Sequence, residues 1–278
     1  MKGPAVADEQ RIDIFAAQKS TMRPFTAFRF VVIIGMLTAL TVNLAAGGRS
    51  KSNEGEDTQR YLKQFHYAQK MGDLQSAATA LVGYLSLDEN VHYLDTLMQV
   101  YILLGNQPAA LAAGYRLMAK GQTSPVLLDR LAVIERQVGL LDSAMVRYMV
   151  LYQKTSDPIY AYELAELYYQ KQDYVNMEKQ LDKIFNDPQA IRKKVQMVIQ
   201  QKPVDVPVVA AAYNLRGYYY LNKGNIDQAE ADFKLSLKSA PDFLLPKNNL
   251  NVVAQVREQL KKRQQTQPMK GKPVKKKK

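Results

Sequence analysis

Small and apolar positions recur along this chain at one spacing, and the pattern between them predicts paired helices. From about residue 58 to residue 243 a helical run, a short turn and a second helical run follow one another five times. The turns fall at Gly72-Asp73, Gly105-Asn106, Gly139-Leu140, Gln172-Asp173 and Gly224-Asn225, so successive intervals are 33, 34, 33 and 52 residues. Five residues past the start of each turn stand Ala77, Ala110, Ala144, Met177 and Ala229. A small side chain there lets the two helices of a pair cross closely. Glycine at the turn supplies the positive φ that ends a helix.

Three further apolar stretches lie outside that period. Gln189–Gln201 carries Ile191, Val195, Val198 and Ile199 at helical spacing, which predicts an amphipathic helix. The following KPVDVPVV, with Pro203 and Pro207, predicts a break in regular structure. This insertion, about 187–207, accounts for the long fourth interval. It reads either as a lengthened connection or as a hinge or docking element. Lys247–Leu260 places Leu250, Val253, Val256 and Leu260 on one helical face, as a terminal helix must to cover the last pair. Phe30–Ala46 is uncharged and apolar, with Arg23 and Arg29 before it and Ala45, Ala46 and Gly47 at its end.

The last paired block is nearly complete: Tyr213, Gly217, Tyr220, Gly224, Ala229, Phe233 and Pro241. It resembles the tetratricopeptide repeat (TPR), with Tyr in the Trp slot and Arg216 in the Leu slot. Earlier blocks match less fully. Gly114 stands where an aromatic residue is expected, Glu135 where Tyr is usual, and Gln172 and Met177 replace Gly and Ala. The resemblance implies an all-α, right-handed α-solenoid of about five helix hairpins with a C-terminal capping helix, preceded by one hydrophobic signal or anchor helix. The repeat-packing positions are then Gly72, Ala77, Gly105, Ala110, Gly139, Ala144, Gly217, Gly224, Ala229, Phe233 and Pro241. It also implies a protein or peptide partner held on a groove lined by the first helix of each pair. Carried over residue by residue, that groove presents His66, His92, Asp95, Gln99, Asp129 and Arg136. It continues through Tyr162, Glu166, Tyr169, Asn214 and Tyr218, with Leu62, Gln69, Val133 and Leu221 among them. The best-known TPR ligand mode clamps a carboxylate with Lys and Asn. This set has no Lys and three acids, and it suits a peptide with apolar and basic side chains.

Charge divides the chain. Residues 1–52 carry seven Lys/Arg and three acids (+4), residues 257–278 ten and one (+9), and the body between them 21 and 22 (−1). A nearly neutral body argues against nucleic acid as the main ligand. The tail, with Lys261, Lys262, Arg263, Lys270, Lys272, Lys275, Lys276, Lys277 and Lys278, reads as disordered, with the capacity to touch an anionic membrane surface or another polyanion. Residues 1–24 read as an N-terminal extension and 25–46 as a signal peptide or membrane anchor that puts the repeats in the periplasm or otherwise outside the cytoplasm. Met22 is an alternative start, and 47–57 is a flexible linker.

No catalytic chemistry is expected. There is no Cys, hence no disulfide, thiolate metal site or Cys nucleophile. Two His make a poor metal site, and no phosphate-binding loop or Ser–His–Asp order appears. The chain reads as a non-enzymatic scaffold without a cofactor, in the manner of bacterial envelope repeat proteins.

Overall fold

The computed structural model describes residues 51–266. They form five antiparallel helix pairs, a β-hairpin and a closing helix. The pairs are α1 (Lys51–Met71) with α2 (Leu74–Leu85), α3 (Val91–Leu103) with α4 (Gln107–Ala119), and α5 (Pro125–Gln137) with α6 (Leu141–Thr155). Then come α7 (Pro158–Gln170) with α8 (Tyr174–Phe185), and α9 (Val208–Asn222) with α10 (Ile226–Ser239). Helix α11 (Leu244–Thr266) follows.

The same local chemistry closes every pair. A left-handed residue ends the first helix, and the next N–H returns to the carbonyl five residues upstream. These bonds run from Asp73 to Ala68 (2.9 Å), Asn106 to Tyr101 (2.9 Å), Leu140 to Glu135 (2.8 Å), Asp173 to Tyr168 (2.9 Å) and Asn225 to Tyr220 (2.9 Å). Asp73, Asn106 and Asp173 then cap the second helix through their side chains. Gln172 adopts the same geometry without glycine, at φ 59°. Gln172→Gly removes that steric cost, and a gain of about 0.5–1 kcal/mol in chemical denaturation is the expected result.

The crossing residues are buried as expected: Ala77 is 1% exposed, and Ala110, Ala144 and Ala229 are 0%. Met177 is also fully buried, so the fourth pair fills the crossing with a flexible side chain instead. Gly217 is needed because a Cβ there would lie 2.7 Å from Phe233 Cε1 and 3.2 Å from the Ala229 carbonyl oxygen. The core runs along the stack. Leu81, Leu94, Met98 and Leu131 fill its first part, Tyr148, Leu151 and Leu164 its middle, and Met177, Leu181 and Ile184 the part before the hairpin. Phe233 and Leu221 complete the last pair, which α11 covers with Val253 (2% exposed) and Val256. Leu260, expected on that same face, stays 38% exposed.

The expected helix over Gln189–Gln201 does not form. A single 3₁₀ turn (Ala190–Arg192) leads into β1 (Lys194–Ile199), paired antiparallel with β2 (Lys202–Pro207). Val195, Met197 and Ile199 alternate inward with period two, and Val195 and Ile199 bury beside Val206. The turn residues Gln200 and Gln201 both have positive φ (51° and 64°), the two-residue turn that matches strand twist. Nor do the prolines break the structure. Val208 N–H bonds Lys193 O at 2.9 Å, which fixes the alternation of the ladder. By that alternation Pro203 and Pro207, opposite Val198 and Lys194, occupy positions whose N–H would point away from β1.

Two boundaries also move. Residues 51–57, expected as linker, begin α1, with Arg60 pairing Asp57 at 3.0 Å. Residues 257–266, expected as disordered tail, continue α11 and include Lys261, Lys262 and Arg263. The N-terminal extension, the apolar segment 25–46 and Lys270, Lys272 and Lys275–Lys278 lie outside the described residues. Among the described residues no helix is long and apolar enough to cross a membrane.

Candidate functional site

Side chains of the first helices form a continuous row from one pair to the next. Phe65 of α1 meets Tyr93 of α3 edge-on at 6.2 Å. Asp95 of α3 accepts from Arg130 of α5 at 3.0 Å and from Gln99 at 2.7 Å. Arg136 of α5 donates to both Glu163 and Glu166 of α7. Tyr169 of α7 packs against Tyr218 of α9 at 5.8 Å, and Asn222 donates to the Tyr169 hydroxyl at 2.6 Å. Asn249 of α11 donates to Asn214 of α9 at 3.1 Å.

Among the expected groove residues these contacts join Asp95 with Gln99, Arg136 with Glu166 and Tyr169 with Tyr218, at differing depths. Tyr162 is 2% exposed: its ring belongs to the core and only its hydroxyl reaches out, donating to Glu166 at 2.6 Å. Leu221 is likewise buried. Asn214 is part-covered by the closing helix. His66 and His92 are exposed, their rings 5.1 and 5.3 Å from Phe65 and Tyr93. Among the described residues no group of three His, Cys, Asp or Glu could hold a metal ion.

The electrostatic centre of the row is Arg136. Burial pulls its guanidinium pKa down, but Glu166 and Glu163 overcome that and hold it above the usual value. Glu163 faces the opposite balance. Burial pushes its carboxyl from 4.5 up to about 7. Arg136 opposes the rise, and the negative charges of Glu166 and Asp129 add to it. Asp129 is itself raised by burial, with Arg130 opposing. Four carboxylates (Asp95, Asp129, Glu163 and Glu166) thus share two guanidinium groups along the row.

Glu163 and Arg130 were not legible as groove residues. The repeat pattern places Tyr162 outward, whereas its neighbour Glu163 joins Glu166 in facing Arg136. Another departure from the repeat is absorbed between α4, α5 and α6. Fully buried Glu135 accepts from the Tyr115 hydroxyl at 3.0 Å and pairs with Arg147 at 3.4 Å. Gly114 leaves room for Leu131, whose Cδ2 lies 2.6 Å from where a Cβ would be.

Neither a family model nor a curated protein sequence matches the chain. Solved structures do. A tetratricopeptide repeat protein from Parabacteroides merdae aligns with a TM-score of 0.53 at 19% identity, over 72% of this chain and 73% of that one. YrrB, a TPR protein with an unusual peptide-binding site, gives 0.54 at 13% identity, over 72% and 95%. The MamA protein gives 0.50 at 21% identity, over 66% and 92%. At these identities the likeness is one of fold, and over about two thirds of this chain that fold is a TPR-like solenoid.

Proposed function

We propose that this chain is a non-catalytic scaffold that binds an extended or helical segment of a partner protein along its first-helix row, with a basic side chain of that segment seated at Glu163, Glu166 and Asp129. The observation that carries the reading is the surplus of carboxylate around Arg136. Burial, with the negative charges of Glu166 and Asp129 adding to it, holds the Glu163 pKa up, and a second cation there would offset both. Half-buried Tyr169 and Tyr218 on one side and exposed Gln99 on the other offer apolar faces and hydrogen bonds to the rest of the segment. The peptide-binding site of YrrB, on the same fold, is consistent with this use of a solenoid surface. In our reading the repeats work outside the cytoplasm, in an envelope complex, tethered or exported through the apolar run Phe30–Ala46 with Arg23 and Arg29 before it.

The test is binding of a capped seven-residue peptide of alternating arginine and leucine to the full chain, followed by fluorescence anisotropy. Replacing Gln99, Tyr169 and Tyr218 together by Ala should weaken binding at least tenfold. Replacing Val82 and Val146, exposed on second helices, should leave it unchanged. Equal affinity for both variants would end the reading.

A further inference from the structure

The hairpin has one closed edge and one open edge. In the β1–β2 ladder the inward-paired positions are Val195, Met197 and Ile199, opposite Val206, Val204 and Lys202. The alternate residues turn their N–H and C=O groups away from the partner strand. On β2 those residues are Pro203, Asp205 and Pro207, so two of three outward N–H groups are missing and no strand can pair along that side. On β1 they are Lys194, Gln196 and Val198, each with a full donor and acceptor. No backbone hydrogen bond reaches these groups from another element among the described residues. The side chains of all three are exposed, Val198 at 76%. An open strand edge of this kind is a template for another strand, and natural sheets usually block it. Here proline blocks one edge only.

We propose that the outer edge of β1 is a second docking site, distinct from the first-helix row, which takes an extended peptide strand carrying acidic side chains. Backbone groups of Lys194, Gln196 and Val198 would supply the ladder, and outward side chains the selectivity. Charge selects the occupant. Arg192, Lys194 and Lys202 are exposed and have no carboxylate partner among the described residues, against the single acid Asp205 on the hairpin. Lys193 is already paired with Asp157 at 2.6 Å. An acidic residue opposite Lys194 and an apolar one opposite Val198 fit the cross-strand pairs on the outward face. A second copy of β1 fits worse. Antiparallel pairing about Gln196 would bring two sets of Arg192, Lys193 and Lys194 onto one small sheet.

The experiment uses the full chain and two capped seven-residue peptides, one alternating glutamate and valine, the other lysine and valine. Binding is followed by anisotropy and by hydrogen exchange at the Lys194, Gln196 and Val198 amides. The glutamate peptide should bind at least tenfold more tightly than the lysine peptide and slow exchange at those three amides. Val198→Pro should cut its affinity at least tenfold, because it repeats on β1 what Pro203 already does on β2 without disturbing the inner ladder. Lys194→Glu, which keeps the backbone edge intact, should reverse the preference between the peptides. Ala at Gln99, Tyr169 and Tyr218 should change none of this, so failure of the first-helix reading and failure of this one are separable. Three results would each overturn the proposal: unchanged exchange at the three amides, equal binding of both peptides, or a concentration-dependent dimer that Val198→Pro dissolves.

Discussion

Asp232→Ala should lower stability by about 3 kcal/mol, and Arg216→Leu added to it should restore most of that loss. Asp232 is 3% exposed on α10 and accepts both prongs of the Arg216 guanidinium, from Nε and Nη2, at 2.8 Å each. Arg216 also lies over the Phe185 ring at 4.5 Å and the Tyr213 ring at 5.4 Å. Its pKa is raised by the Asp232 hydrogen bonds, with burial working against them. The single variant strands a partly buried cation without its counter-charge, a loss that commonly runs to about 3–5 kcal/mol. Replacing a buried ion pair by apolar groups of similar volume is often neutral or stabilising. Leu is the residue the repeat pattern carries at position 216, so the double variant returns that slot to the commoner solution. Urea denaturation of the three proteins checks this. A loss below about 1 kcal/mol for the single variant, or no recovery in the double one, would show that the pair does not behave as a buried unit.

The second large effect is a dependence of stability on pH. The Glu163 carboxyl is raised in the folded state, from 4.5 to about 7. Its contribution is therefore complete below about pH 4.5, where folded and unfolded chains both hold the proton. It is lost as pH rises through 7, because the folded state must then give up a proton it holds more tightly. The shift corresponds to about 3 kcal/mol over that window. Glu163→Gln removes the titration, so its stability curve should be flatter than that of the natural chain and higher at pH 8. Arg136→Met removes the guanidinium that holds both Glu163 and Glu166. It should cost about 3 kcal/mol at pH 8 and clearly less at pH 5, where protonation relieves the carboxylate repulsion. Thermal melts at half-unit pH steps separate the cases. Parallel curves for the three proteins would contradict the account of Glu163.

The stack itself was legible because its determinants are local. A left-handed turn residue and a small residue five positions later fix a helical hairpin, and a near-constant interval makes hairpins pile up. Ala77, Ala110, Ala144 and Ala229 all lie between paired helices for that reason. The hairpin was misread because Ile191, Val195, Val198 and Ile199 satisfy a helical period as well as Val195, Met197 and Ile199 satisfy a period of two. Pro203 and Pro207, four residues apart, resolve the ambiguity only once an edge strand is considered, since even spacing puts both on one side. The site was half legible. The repeat pattern identified which helices supply the row, but not how deep each side chain sits. Tyr162 therefore turned inward while Glu163 took the place beside Arg136. Arg216 was visible as a departure from the pattern. Its partner Asp232 lies 16 residues on, in the other helix of the pair, and becomes evident only when the helices are set side by side.

The claim at the centre of this account is that the carboxylates around Arg136 await a cation from a partner. Isothermal titration of the full chain at pH 7 with the arginine–leucine peptide, in buffers of different ionisation enthalpy, tests it most directly. A bound guanidinium should lower the Glu163 pKa, so peptide binding should release a fraction of a proton and tighten between pH 6 and pH 8, and Glu163→Gln should abolish the release. A binding heat that does not depend on the buffer, or an affinity that Glu163→Gln and Glu166→Gln together leave unchanged, would contradict it.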